Sequence, residues 1–113
     1  MLFFAVALFL IAATFGGAIL TALLQDKPMN KIVRYLHGSI AVFALLLMAG
    51  YLILFGGDLL LIISLILFIL AALGGLTLFT LGLKKKPVPK LLAIIHPLVA
   101  IAGLITLVVS ILP

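Results

Sequence analysis

Four apolar runs, at roughly 2–24, 32–55, 59–83 and 91–112, constrain this chain more than any motif in it. Each is long enough to cross a bilayer, which takes about 20 apolar residues. The breaks between them, "QDKPMNK", "GGD" and "KKKPVPK", are short. With 113 residues, 68% of them hydrophobic and 8% charged, the chain has too little polar surface to cover a water-soluble domain. The expectation is a single all-α membrane domain spanning 1–113, a four-helix up-down bundle. The first run has no basic segment before it and no small-x-small cleavage site near its end, so it reads as a mature helix rather than a signal peptide.

All seven Lys and Arg residues (Lys27, Lys31, Arg34, Lys84, Lys85, Lys86, Lys90) fall in or beside the first and third breaks. An up-down bundle brings those two breaks to the same side. The positive-inside rule then predicts that loops 25–31 and 84–90 are cytoplasmic and both termini outside, in a cell inner (plasma) membrane. The net charge of +5 is thus a topology signal, with no reason to invoke nucleic acid. The absence of Cys excludes disulfides, iron–sulfur clusters and thiolate metal sites.

Sliding the chain on itself by 59 residues aligns 1–54 with 60–113 without a gap. Leucines match by chance in such a sequence. Rarer matches are Phe9 with Phe68, Ala12-Ala13 with Ala71-Ala72, Gly16 with Gly75 and Thr21 with Thr80. Lys27-Pro28 with Lys86-Pro87, Lys31 with Lys90, His37 with His96 and Ala41 with Ala100 continue the register. The chain therefore reads as two parallel copies of a helical hairpin, with a pseudo-twofold axis along the membrane normal.

That axis gives meaning to the only two histidines. His37 lies six residues beyond Lys31 and His96 six beyond Lys90, so each sits about 9 Å along its helix from the basic end. Two imidazoles at one depth on duplicated helices can face each other. An ionisable side chain inside a membrane span is a functional candidate by default, and neutral imidazole is a good iron ligand. The pair points to one haem b held between His37 and His96. Ala41 and Ala100, one turn deeper on the same faces, leave room beside the rings. Ala12-x3-Gly16 and Ala71-x3-Gly75 let helices approach closely or let a flat macrocycle pack against them. Lys31, Arg34 and Lys90 lie toward the basic end, where haem carboxylates would need cationic partners; the counterpart of Arg34 is Ala93.

The segments "LHGSIAVFALLL" and "IHPLVAIAGLITL" resemble the haem-bearing helices of the cytochrome b561 and ferric-reductase-like group of bis-histidine membrane cytochromes. The resemblance implies that His37 and His96 are axial ligands. Members of that group carry four ligating histidines over more helices; two here imply one haem rather than a complete transmembrane electron wire.

Alternatives from other classes are a magnesium tetrapyrrole, such as a chlorophyll-type pigment with one His per pigment, and a cofactor-free accessory subunit that fills space in a larger membrane complex. Two histidines alone are too few for a closed zinc site. The only acids, Asp26 and Asp58, lie in breaks, so a proton relay lacks partners. No nucleophile–base set, paired carboxylates or phosphate loop is present, and the chain is not expected to be an enzyme alone. Its expected partners are the lipid bilayer and either other membrane subunits or a quinone or redox protein.

Among the remaining residues, Pro97 frees the Ala93 carbonyl from its helical bond. Tyr35 and Tyr51 read as interfacial residues. Met48 lies about three turns from His37, too far to share its metal. The phenylalanines read as lipid-facing or packing side chains. Ser and Thr in spans are expected to bond to their own helix backbone.

Overall fold

A computed structural model describes residues 1–28 and 30–112. Met29 of the first basic loop and Pro113, the last residue of the second repeat, lie outside the described residues. Four helices account for nearly all of the chain: α1 (Leu2–Leu24), α2 (Lys31–Phe55), α3 (Leu59–Leu83) and α4 (Lys90–Ile111). These runs are helical because lipid offers the backbone no hydrogen-bond partner, so each span must satisfy its own N–H and C=O groups. All four are long and apolar enough to cross a membrane, and the protein is a multi-pass membrane bundle. Large side chains such as Phe3 (75% exposed) and Ile53 (83% exposed) cover its outside, a surface that only a lipid solvent tolerates.

Helix ends explain the Lys-Pro pairs. After α1 and after α3 the chain closes a Schellman motif: the Lys27 N–H donates to the Ala22 carbonyl at 2.9 Å and the Lys86 N–H to the Leu81 carbonyl at 3.0 Å. The residue before each lysine, Asp26 or Lys85, takes φ 54°, the left-handed conformation that reverses the chain. Proline follows and prevents the helix from resuming. At the opposite end, Gly56 turns the chain with φ 71°, and Asp58 caps α3 by accepting from the Leu61 N–H at 2.9 Å.

The dry core fills only the half of the bundle nearest the termini. Ala5, Phe9, Ala44, Met48, Leu61, Phe68 and Leu107 form one buried cluster there. Within each hairpin the helices approach over small residues. The Ser64 hydroxyl donates to the Gly103 carbonyl at 2.7 Å between α3 and α4. The positions 59 residues earlier are Ala5 and Ala44, both fully buried. Ser64 departs from the expected backbone bonding within its own helix; Thr14, Thr21, Thr77, Thr80 and Thr106 keep to it.

Between the hairpins, Phe9 of α1 and Phe68 of α3 stack in parallel, with centroids 3.9 Å apart and planes 1° from coplanar. A residue that touches its own equivalent lies on a twofold axis. Phe9 with Phe68 gives one point on that axis; the histidines give the second.

Candidate functional site: paired imidazoles in a cavity

Toward the basic loops, beyond the phenylalanine stack, the hairpins part around a cavity of about 1200 Å³. His37 on α2 and His96 on α4 enter it at equal depth. Their ring centroids are 6.2 Å apart and their planes are perpendicular, at 89°.

Each ring is fixed by the partner helix of its own hairpin. His37 Nδ1 lies 2.7 Å from the Ala12 carbonyl oxygen, and His96 Nδ1 lies 2.7 Å from that of Ala71. A carbonyl can only accept, so Nδ1 carries the proton. In a neutral imidazole the unshared lone pair is then on Nε2. Four residues after each carbonyl stands the glycine that makes the approach possible. A Cβ on Gly16 would lie 2.9 Å from His37 Cε1, and one on Gly75 would lie 2.9 Å from His96 Cε1. The alanine-x3-glycine pattern therefore has a third use, beyond helix contact and macrocycle packing. The alanine supplies the carbonyl that orients the imidazole, and the glycine supplies its seat.

Ala41 and Ala100 line the cavity one turn deeper, as do Leu45 and Leu104 after them. Phe9 and Phe68 belong to both core and lining, so their stack is the cavity floor. Pro97 lies within α4 without ending it and also lines the cavity. Met48 is buried in the core, on the far side of the floor.

The cations divide. Arg34 lines the cavity beside His37, as its position one turn earlier predicts, whereas Lys31 and Lys90 are exposed at the helix starts and do not line it. Lys27, which the sequence marks as a repeat match and not as a site residue, does. The Arg34 guanidinium rests on α3, where a Cβ on Gly82 would stand 3.1 Å from Nη1. A sequence signal for this seat existed: the repeat places Leu23 at the position equivalent to Gly82. Tyr35, exposed near the basic end, meets Phe79 edge-on at 5.7 Å.

Among the described residues no group of three His, Cys, Asp or Glu side chains converges, so no protein-only metal cage forms. No buried side-chain nitrogen or oxygen lacks a hydrogen-bond partner among them either. The site thus offers two oriented imidazole lone pairs in an apolar, lipid-embedded cavity with cations at its basic end. Compared with protein-family models, with curated proteins and with solved structures, the chain matches none.

Proposed function

We propose that this chain is an electron-carrying membrane subunit that holds one haem b between His37 and His96. The separation of the two imidazoles carries the reading. Two rings sharing one metal need bonds of about 2.0–2.1 Å, and each nitrogen lies about 1.1 Å from its ring centre, so their centroids fall about 6.3 Å apart. The observed 6.2 Å agrees. The perpendicular planes are compatible, because sharing a metal sets no angle between the planes of the two rings. The Nδ1–H to carbonyl bonds supply the outer-shell support usual for metal-bound histidine, fixing the tautomer and raising ligand basicity. The cavity also has the volume for a large flat ligand: sites for drug-sized molecules span about 300–1000 Å³.

Spacing also favours one shared group over one pigment per ring. Two stacked macrocycles, each ligated to its own imidazole, would add about 3.5 Å of contact thickness between the metals. An iron held by two imidazoles supplies one-electron chemistry. The residues of the chain bind it, orient it and keep it among apolar side chains. The connections between the described helices are short, and the electron partners we assign are a quinone or another redox subunit. Lys and Arg gathered at one end of the bundle support cytoplasmic basic loops and external termini in an inner membrane.

The test is the visible spectrum of the chain purified from haem-replete cells. A Soret band with sharp reduced α and β bands is expected, lost in His37→Ala and in His96→Ala. A colourless folded protein would overturn the proposal in favour of an accessory subunit. Extractable magnesium tetrapyrrole would replace haem with a pigment.

A further inference from the structure

The twofold relation fails at one edge of the cavity. At the seam between α2 and α3, Arg34 lies over Gly82, and the exposed Ser39 borders the same cavity. The positions equivalent to Arg34, Ser39 and Gly82 are Ala93, Leu98 and Leu23, so the opposite seam between α4 and α1 is apolar. Lys27 lines the cavity and its counterpart Lys86 does not. Arg34 is half-buried, and among the described residues it forms no ion pair with either carboxylate of the chain. Asp58 caps α3 at the far end of the bundle. Ser39 makes no hydrogen bond among the described residues, whereas the in-span threonines each donate to their own helix.

A guanidinium beside an apolar cavity, seated on glycine and lacking a carboxylate, is built to receive an anionic oxygen group from outside the chain. We propose that the α2–α3 seam is a carboxylate- or phosphate-binding site that orients an amphipathic ligand. The anionic oxygens take the Arg34 fork, and Lys27 adds positive charge at the basic end of the cavity. The apolar body of the ligand extends into the cavity toward the imidazoles. Resting on the haem assignment above, this turns the carboxylate edge of the macrocycle toward α2 and α3 and away from the α4–α1 seam. The other source of the same chemistry is a membrane phospholipid, whose phosphate would sit at Arg34 with its acyl chains along the seam.

The experiment uses the full chain in nanodiscs of zwitterionic lipid, titrated with haem and with haem dimethyl ester, whose carboxylates are blocked. Wild type is expected to prefer haem by about tenfold or more, the range for hydrogen bonds to charged partners. Arg34→Ala should lose most of that preference, Lys27 keeping a small part, and should bind the ester with wild-type affinity, which also shows that the cavity survives the substitution. Arg34→Lys should keep part of the preference. Equal preference in wild type and Arg34→Ala, with haem bound by both, overturns the carboxylate site and leaves the haem assignment standing. If wild type binds neither tetrapyrrole, the haem assignment falls, and the phosphate arm decides the anion site. In that arm the nanodiscs contain phosphatidylglycerol, and native mass spectrometry should show the lipid retained by wild type and lost from Arg34→Ala. Equal retention overturns the anion site as well.

Discussion

Gly16→Ala tests the imidazole seat with a control one residue away. The new Cβ would stand 2.9 Å from His37 Cε1 and 3.2 Å from Nδ1. Carbon atoms settle at about 3.5–4.0 Å, so the ring must retreat by roughly 0.6 Å or more. Retreat lengthens a hydrogen bond to Ala12 that is now 2.7 Å, pushing it past the useful range. It also shifts one of two rings whose centroid separation is 6.2 Å. Overpacking of this kind costs about 1–3 kcal/mol. Gly17→Ala makes the same chemical change on the same helix, but nothing lies within 4 Å of its new Cβ. There the helix gains about 0.8–1 kcal/mol from replacing glycine. That gain is common to both variants, so they should separate by the overpacking cost, roughly 1–3 kcal/mol in detergent unfolding, with Gly16→Ala the weaker. On the haem binding proposed above, Gly16→Ala should lose the low-spin bis-imidazole spectrum or retain haem about 10–100-fold less well, as outer-shell changes at metal-bound histidine do. Gly75→Ala should match Gly16→Ala, because its Cβ would also lie 2.9 Å from Cε1. If Gly16→Ala and Gly17→Ala gave the same stability and the same spectrum, the glycine seat would be refuted.

Phe9→Ala removes half of the stack that joins the hairpins and should cost about 3–5 kcal/mol in unfolding; a loss under about 1 kcal/mol would show that the stack does not hold the hairpins together. Lys85→Gly places glycine where φ is 54° and should raise stability by about 0.5–1 kcal/mol; destabilisation would contradict the left-handed helix end. Ser64→Ala leaves the Gly103 carbonyl its helical bond and restores the residue found in the first copy, so the expected loss is only about 0.6 kcal/mol. A loss above about 2 kcal/mol would make the Ser64 bond a principal tie between α3 and α4.

The fold was legible because lipid removes most alternatives. Four apolar runs with charged or glycine-rich breaks leave the backbone little choice, and the helix limits follow those runs to within a residue. The two histidines were legible as a pair because rare residue types repeated in one register. The use of Gly16 and Gly75 was not. Spacing alone cannot distinguish a glycine that admits another helix from one that admits an imidazole, because both show the same small-x3-small pattern. Lys27 and Lys31 illustrate a second limit. Both belong to one basic loop, yet Lys27, at the Schellman turn, lines the cavity and Lys31, at the start of α2, does not. Turn geometry of that kind forms here without the glycine that usually signals it. Ser64 was missed for a related reason: only the facing helix determines whether a hydroxyl bonds across or along.

A parallel duplication explains why the matched and unmatched residues divide the site between them. Residues that meet their own equivalents must lie near the twofold axis, so the phenylalanine stack and the imidazole pair are central and composed of matched residues. Anything that distinguishes one edge of a bound ligand from the other must lie off the axis and break the repeat, and Arg34 over Gly82 does both. A symmetric pair of ligands positions a metal but cannot choose between the two orientations of an asymmetric macrocycle. That choice requires an unmatched group, and of the cations lining the cavity Arg34 is the one whose duplicate is uncharged. On the haem binding proposed above, moving the guanidinium to the other seam, by Arg34→Ala with Ala93→Arg and Leu23→Gly, should therefore reverse the preferred orientation without changing the bis-imidazole spectrum. Paramagnetic shifts of the haem methyl protons would report such a reversal, and an unaltered pattern would mean that Arg34 does not set the orientation.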